Sequence, residues 1–140
     1  MNNKKIGDST EFKVAKMFRD NHYWAHVIAK SNIGSQPVDV VAAKGGEYPV
    51  VWLVDAKHVR TQEASFTFER IEANQRTCMM FANDWAKIDA QKLGFAIEFD
   101  RTGGIYWMSY ENLLKYELEG KKSIHYSQLK LMDEVIDDAR

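Results

Sequence analysis

The sequence predicts a single α/β domain in which helices flank a central mixed β-sheet, and three observations carry that reading. Pro37 to Lys57 reads as a hairpin, its two arms rich in β-branched and aromatic residues about the pair Gly45-Gly46. The elements follow one another as helix, strand, hairpin, helix, hairpin, helix. The 140 residues contain no repeat, low-complexity tract or Pro/Gly-rich linker, which leaves room for one proper core and little for two. The domain is expected to span 1–140, with a core over about 7–118 and a C-terminal extension over 119–140.

Bulk composition narrows the class further. Hydrophobic residues make up 45% and charged residues 28%, an ordinary balance for a soluble globular chain. No apolar run is long enough to span a membrane, and Met1-Asn2-Asn3-Lys4-Lys5-Ile6 lacks the apolar region of a signal peptide, so no membrane partner is expected. The single Cys78 provides neither an intrachain disulfide framework nor a Cys-based zinc site, which fits a reducing cytoplasm. A net charge of −1 excludes a generic polycation, so any nucleic-acid affinity must come from a local basic face.

The first helix starts at Asp8-Ser9-Thr10-Glu11 with Asp8 or Ser9 as cap, and Glu11, Val14, Ala15 and Phe18 share one stripe. Glu11 is then either the acidic head of that stripe or, with Asp8 as cap, one half of a capping box. Trp24 to Ala29 reads as a strand, and Lys30 to Gln36 as a polar loop that delivers the chain to Asp39. The hairpin follows, joined across about 44–50. A loop over 58–65 leads to a second helix expected from near Thr67 to about Ala86, with Phe68, Ile71, Gln75, Cys78, Met79, Ala82 and Ala86 on one face. Gln75 is the polar residue of that stripe and requires a hydrogen-bonding partner, whether backbone or functional group; Cys78 reads as core.

Leu93 to Phe99 and Ile105 to Met108 make another hairpin, after which Ser109 caps a short helix holding Leu113, Leu114, Tyr116 and Leu118. The tail from Ile124 carries Leu129, Leu131, Val135 and Ile136, suited to docking on the core or on a partner subunit. His22, His26, His58 and His125 lack metal-ligand spacing.

The chemistry concentrates in the first hairpin. Alternation puts Val51, Leu53, Asp55 and Lys57 on one face of its second arm, and the register sets Asp39 opposite Asp55 on that face. Two carboxylates and a lysine at one strand end suit metal-assisted phosphodiester hydrolysis: hard oxygen donors hold Mg²⁺, and a fixed cation stabilises developing charge. An Asp–Lys pair beside an unrelated turn Asp is the plain alternative.

With these residues placed, the chain resembles the PD-(D/E)xK nucleases, and within them Holliday junction resolvases of the RecU and Hjc types. The resemblance covers roughly 7–110 and rests on Gly7 with Glu11, Pro37-Val38-Asp39, Asp55-Ala56-Lys57, Ser65-Phe66 with Ile71, Asn74-Gln75, and Gly94-Phe95-Ala96-Ile97. The hairpin lacks the long stalk insertion of RecU-type enzymes, Asp55 stands where these families mostly have Glu, and Asn74 where RecU-type proteins often have His.

The resemblance implies a restriction-endonuclease-like core. It assigns Asp39, Asp55 and the Ala56 carbonyl as ligands of Mg²⁺, with Mn²⁺ as substitute, and Glu11 as a further acidic member. It gives Lys57 to the nucleophile or scissile phosphate and Gln75 to positioning Lys57 or a water. Ser35 matches the Hjc-type functional serine, and Lys30, Arg60, Ser65, Arg70 and Arg76 are the candidate phosphate contacts around it. It further implies a homodimer that cuts four-way DNA junctions symmetrically in recombination and repair. A nuclease of the same fold for flaps, single strands or restriction sites, and a catalytically silent DNA-binding module, are the alternatives.

Overall fold

The computed structural model describes residues 9–29 and 37–139. Helix α1 (Thr10–Asp20) leads into strand β1 (Trp24–Val27), followed by β2 (Val40–Lys44) and the long β3 (Val50–Val59). Next come β4 (Ser65–Thr67), one turn of 3₁₀ helix (Phe68–Arg70) and α2 (Ala73–Asp84). Strands β5 (Leu93–Phe99) and β6 (Gly104–Ser109) precede α3 (Tyr110–Leu118), and the chain continues through β7 (Ser123–His125), a second 3₁₀ turn (Tyr126–Gln128), β8 (Lys130–Leu131) and α4 (Met132–Asp138). Six strands form one mixed sheet in the order β1-β2-β3-β5-β6-β8, and β4 pairs with β7 in a small second sheet. Helices lie on both faces, as the sequence predicts.

Strand β3 organises the sheet because its two halves serve different partners. Its first half pairs antiparallel with β2, from Lys44 opposite Val50 to Val40 opposite Val54. Its second half runs parallel to β5, from Leu53 opposite Leu93 to Val59 opposite Phe99, and the crossover between them carries α2. Strand alternation sorts the side chains. Trp52 and Val54 join Val14, Ala15 and Phe18 of α1 in one core, and Met132 and Ile136 of α4 complete it. Val59, Phe95, Ile97 and Phe99 join Met79 of α2 and Leu113 of α3 in the other.

One local expectation changes, and two are filled in. The second helix starts at Ala73, not near Thr67: Phe68 and Ile71 bury their side chains from the 3₁₀ turn and its exit, while Ser65 to Thr67 is drawn into a strand by β7. In α3, Ser109 caps as expected, its hydroxyl accepting the Asn112 N–H at 3.0 Å, but only Leu113 of the leucines is buried and Leu118 stands in solvent. The segment after residue 118 docks on the core, one of the two options its apolar residues offered: β8 closes the sheet edge beside β6, and both Met132 and Ile136 are fully buried.

One close approach fixes the second hairpin. A Cβ on Gly94 would collide with the Met108 carbonyl and the Ser109 Cα, so the β5–β6 spacing at that point requires glycine.

Candidate active site at the end of the long strand

The site forms where β2 ends and β3 continues alone. Asp39 stands one residue before β2, its N–H bonded to the Val54 carbonyl at 2.9 Å and its carbonyl accepting the Ile28 N–H at 2.8 Å. Extending the register by one step sets Asp39 opposite Asp55, as the hairpin pattern predicts. Its Oδ2 accepts the Ala56 N–H at 2.8 Å, which ties the first carboxylate to the backbone between Asp55 and Lys57.

Asp55 is 1% exposed. Its Oδ1 accepts Gln75 Nε2 at 2.9 Å. Its Oδ2 lies 3.1 Å from Lys57 Nζ but off the line of a hydrogen bond, and it is the buried side-chain oxygen that lacks a hydrogen-bond partner among the described residues. Burial pushes this carboxyl up to about 8, the Asp39 carboxyl beside it adds to the shift, and Lys57 opposes it without cancelling it.

Gln75 is the hub of the group. Its Oε1 accepts Lys57 Nζ at 3.1 Å and the Glu72 N–H at 3.0 Å, so one amide caps α2, orients Asp55 and seats the lysine. The polar residue that stood out on an apolar stripe has a functional group as its partner. Lys57 also donates to the Arg70 carbonyl at 3.2 Å.

Not every expected member joins. Ser9 is the N-cap of α1, so Glu11 sits at the second helical position and is not the capping-box residue. Helix α1 packs on the sheet face opposite the one that carries Asp55 and Lys57. Among the described residues no three His, Cys, Asp or Glu side chains come together as a metal-binding group, so Glu11 is not gathered with Asp39 and Asp55.

Of the candidate phosphate contacts, Lys30 and Ser35 lie outside the described residues. Arg60 is exposed one residue beyond β3, and Ser65 is half-buried in β4. The Arg76 guanidinium makes a two-pronged pair with Glu117 of α3, at 2.9 and 2.8 Å, and braces two helices. Arg70 is exposed but donates to the His58 carbonyl at 3.1 Å.

One buried acid escaped the sequence reading. Glu98, on β5, accepts the Thr10 hydroxyl at 2.7 Å and Lys13 Nζ at 2.6 Å, which anchors α1 to the sheet. Its signal was a lone charge inside an apolar strand.

The donor set suits a hard divalent cation. Two carboxylates and the intervening Ala56 carbonyl are all oxygen ligands, Mg²⁺ needs few of them because it keeps its waters, and Asp55 Oδ2 is buried with a position to fill. The site thus has the donors for a metal and a lysine fixed beside them.

No protein-family model matches the sequence, and no curated protein does. Among solved structures, the chain is similar to Hjc, a Holliday junction resolvase from the archaeal hyperthermophile Archaeoglobus fulgidus, at 14% identity and a TM-score of 0.61, covering 91% of this chain and 97% of that one. It is also similar to a nuclease from a fusselovirus, at 12% identity and a TM-score of 0.55, covering 99% and 90% of the two chains. At these identities the likeness is one of fold: the chain has the single-domain mixed-sheet architecture of two nucleases, the architecture expected from Asp39, Asp55 and Lys57.

Proposed function

We propose that this protein is a metal-dependent DNA endonuclease that hydrolyses phosphodiester bonds at four-way junctions. The observation that carries the reading is Asp55: a buried carboxyl with one orphan oxygen, held by Gln75 against Asp39 and Lys57. A structural acid gains no stability from such a setting; a metal ligand acquires its missing partner on loading.

Asp39, Asp55 and the Ala56 carbonyl would hold Mg²⁺ or Mn²⁺, which when bound polarises the scissile phosphate and activates a water. Lys57, 3.1 Å from Asp55 Oδ2, is placed to meet charge developing on the phosphate. Gln75 keeps both Asp55 and Lys57 from drifting. Arg60 and Ser65 are the contacts for the DNA backbone.

Junction selectivity calls for two sites related by a two-fold axis, and an uncovered face offers the means. By register, Trp24, Val41, Ala43 and Val51 share one face of β1, β2 and β3, where Trp24 is 61% and Val51 38% exposed. On α2, Phe81 and Trp85 stack with ring centroids 4.2 Å apart, on the side turned away from Arg76 and α3. The two indoles alone expose on the order of 300 Å², near the largest patch an ordinary monomer shows. Exposed indoles of this kind suit a second copy of the chain, and on the sheet His26 stacks on Trp24 at the edge that leads to the site.

The test is cleavage of matched four-way, flap, duplex and single-stranded DNA with Mg²⁺ or Mn²⁺, alongside sedimentation of the free protein. Preference for the junction by a dimer supports the whole reading. A monomer that cuts all four alike leaves a nuclease and removes the resolvase, and no cutting of any substrate removes both.

A further inference from the structure

Resting on that nuclease reading, we propose that Arg70 is a positioning residue for Lys57 rather than a contact to DNA phosphate. The 3₁₀ turn that ends in Arg70 is pinned at both ends: the Phe68 N–H donates to the Lys122 carbonyl at 2.9 Å, and the Ile71 N–H to the Phe68 carbonyl at 3.0 Å. So held, the turn presents the Arg70 carbonyl to β3, where it accepts Lys57 Nζ at 3.2 Å.

The Arg70 side chain then runs back to the same strand. Its guanidinium lies 5.4 Å from the ring centroid of the buried Phe66, and its Nη2 donates to the His58 carbonyl at 3.1 Å. The contacts close a loop. Lys57 donates to Arg70, and Arg70 donates to the residue that follows Lys57 in the chain. Two hydrogen bonds of opposite sense between one residue and two consecutive strand residues set both the distance and the register of the turn against β3.

Arginine suits this role for a geometric reason. A planar fork can lie against an aromatic ring and still aim one N–H at a carbonyl, which a lysine ammonium does less well. Lys57 has two hydrogen-bond acceptors, Gln75 Oε1 and the Arg70 carbonyl, besides the ion pair with Asp55, and both belong to residues that α2 and its preceding turn hold in place. Loosening the turn removes the one acceptor that carries no formal charge and makes no contact with Asp55. The ammonium is then free to slide along the carboxylate.

The test compares Arg70→Met, Arg70→Lys and Arg60→Met in cleavage and in salt-dependent DNA binding. Arg70→Met should lower kcat about 10- to 100-fold with KM and the salt slope of binding unchanged, as expected for loss of a residue that orients a reacting one. Arg70→Lys, which retains one donor but not the planar fork, should recover part of the loss. Arg60→Met should do the reverse, raising KM and flattening the slope by about one phosphate contact. Arg70→Met with intact kcat, whether binding weakens or thermal stability alone falls, overturns the proposal.

A readout independent of cleavage separates this idea from the nuclease reading. Acylation of Lys57 by an amine-reactive ester, followed by mass spectrometry, should speed up several-fold in Arg70→Met and not in Arg60→Met. An unchanged rate overturns the brace even if the enzyme cuts DNA well. A rise in a protein that cuts nothing leaves the brace standing and removes the nuclease.

Discussion

Two buried carboxylates stand near each other on neighbouring parallel strands, one on each face of the sheet, and they are treated in opposite ways. Glu98 is 6% exposed and both its oxygens are satisfied, one by a hydroxyl and one by an ammonium that reaches out to solvent. Asp55 is 1% exposed, has a second acid beside it, and leaves one oxygen without a hydrogen bond. Fold stability explains the first arrangement completely: Glu98 fastens α1 to β5. It does not explain the second, because an unsatisfied buried acid costs stability unless something absent from the free chain completes it. The contrast separates an acid that holds the structure from an acid that the structure holds.

The sharpest way to break that contrast is to neutralise each acid in turn. Asp55→Asn should cut cleavage about a thousandfold or more, the several kcal/mol of a lost metal ligand, while the protein stays folded by circular dichroism. Glu98→Gln should leave kcat near wild type and lower stability in urea by about 1–3 kcal/mol. If Glu98→Gln abolished cleavage and Asp55→Asn did not, the two roles would have to be exchanged. Gln75→Ala comes next. Both Asp55 and Lys57 lose a partner, so kcat should fall about 10- to 100-fold, with α2 less protected in hydrogen exchange because its cap is lost as well.

A smaller effect is thermodynamic. The Asp55 pKa of about 8 in the folded chain exceeds its ordinary value of 3.8, so the metal-free fold retains a proton that the unfolded chain releases between those limits. Stability should therefore fall as pH rises through that window, by at most about 1.4 kcal/mol per pH unit. Asp55→Asn should flatten the dependence, and Mg²⁺ should offset it by taking the proton's place. Urea midpoints at pH 6 and pH 8.5, with and without Mg²⁺, check all three; parallel curves for wild type and variant would refute the assignment. The smallest signal is calorimetric: Mg²⁺ uptake near neutral pH should release about one proton, seen as a heat that varies with the ionisation enthalpy of the buffer.

How much of this was legible in the sequence depends on the distance over which each fact is decided. The hairpin and its register were readable because alternation and the Gly pair act within 20 residues, and they were enough to bring Asp39 opposite Asp55. Gln75 was readable as a polar residue on an apolar stripe, although the stripe could not name its partners. The start of α2 was misread because Phe68 and Ile71 fit helical spacing equally well from a 3₁₀ turn, and the choice is made by β7, more than 50 residues downstream. Arg76 read only as a candidate phosphate contact, since its partner Glu117 lies 41 positions away. Glu98 gave a signal, a charge in an apolar strand, but Thr10 and Lys13 come from the opposite end of the chain. Local chemistry was visible, and long-range pairing was not.

The burial of Met132 and Ile136 against Trp52 and Trp107 has a consequence for synthesis. On the ribosome the chain emerges from its N-terminus, so α1, the first hairpin and β5 are all exposed to solvent before the residues that seal their shared core have been made. That core cannot close until α4 has left the ribosome. Until α4 arrives, the nascent chain presents two buried-to-be indoles and an open sheet edge at β6, the kind of surface that chaperones hold and that aggregates recruit. Folding of the nascent chain therefore waits on α4 to end that exposure.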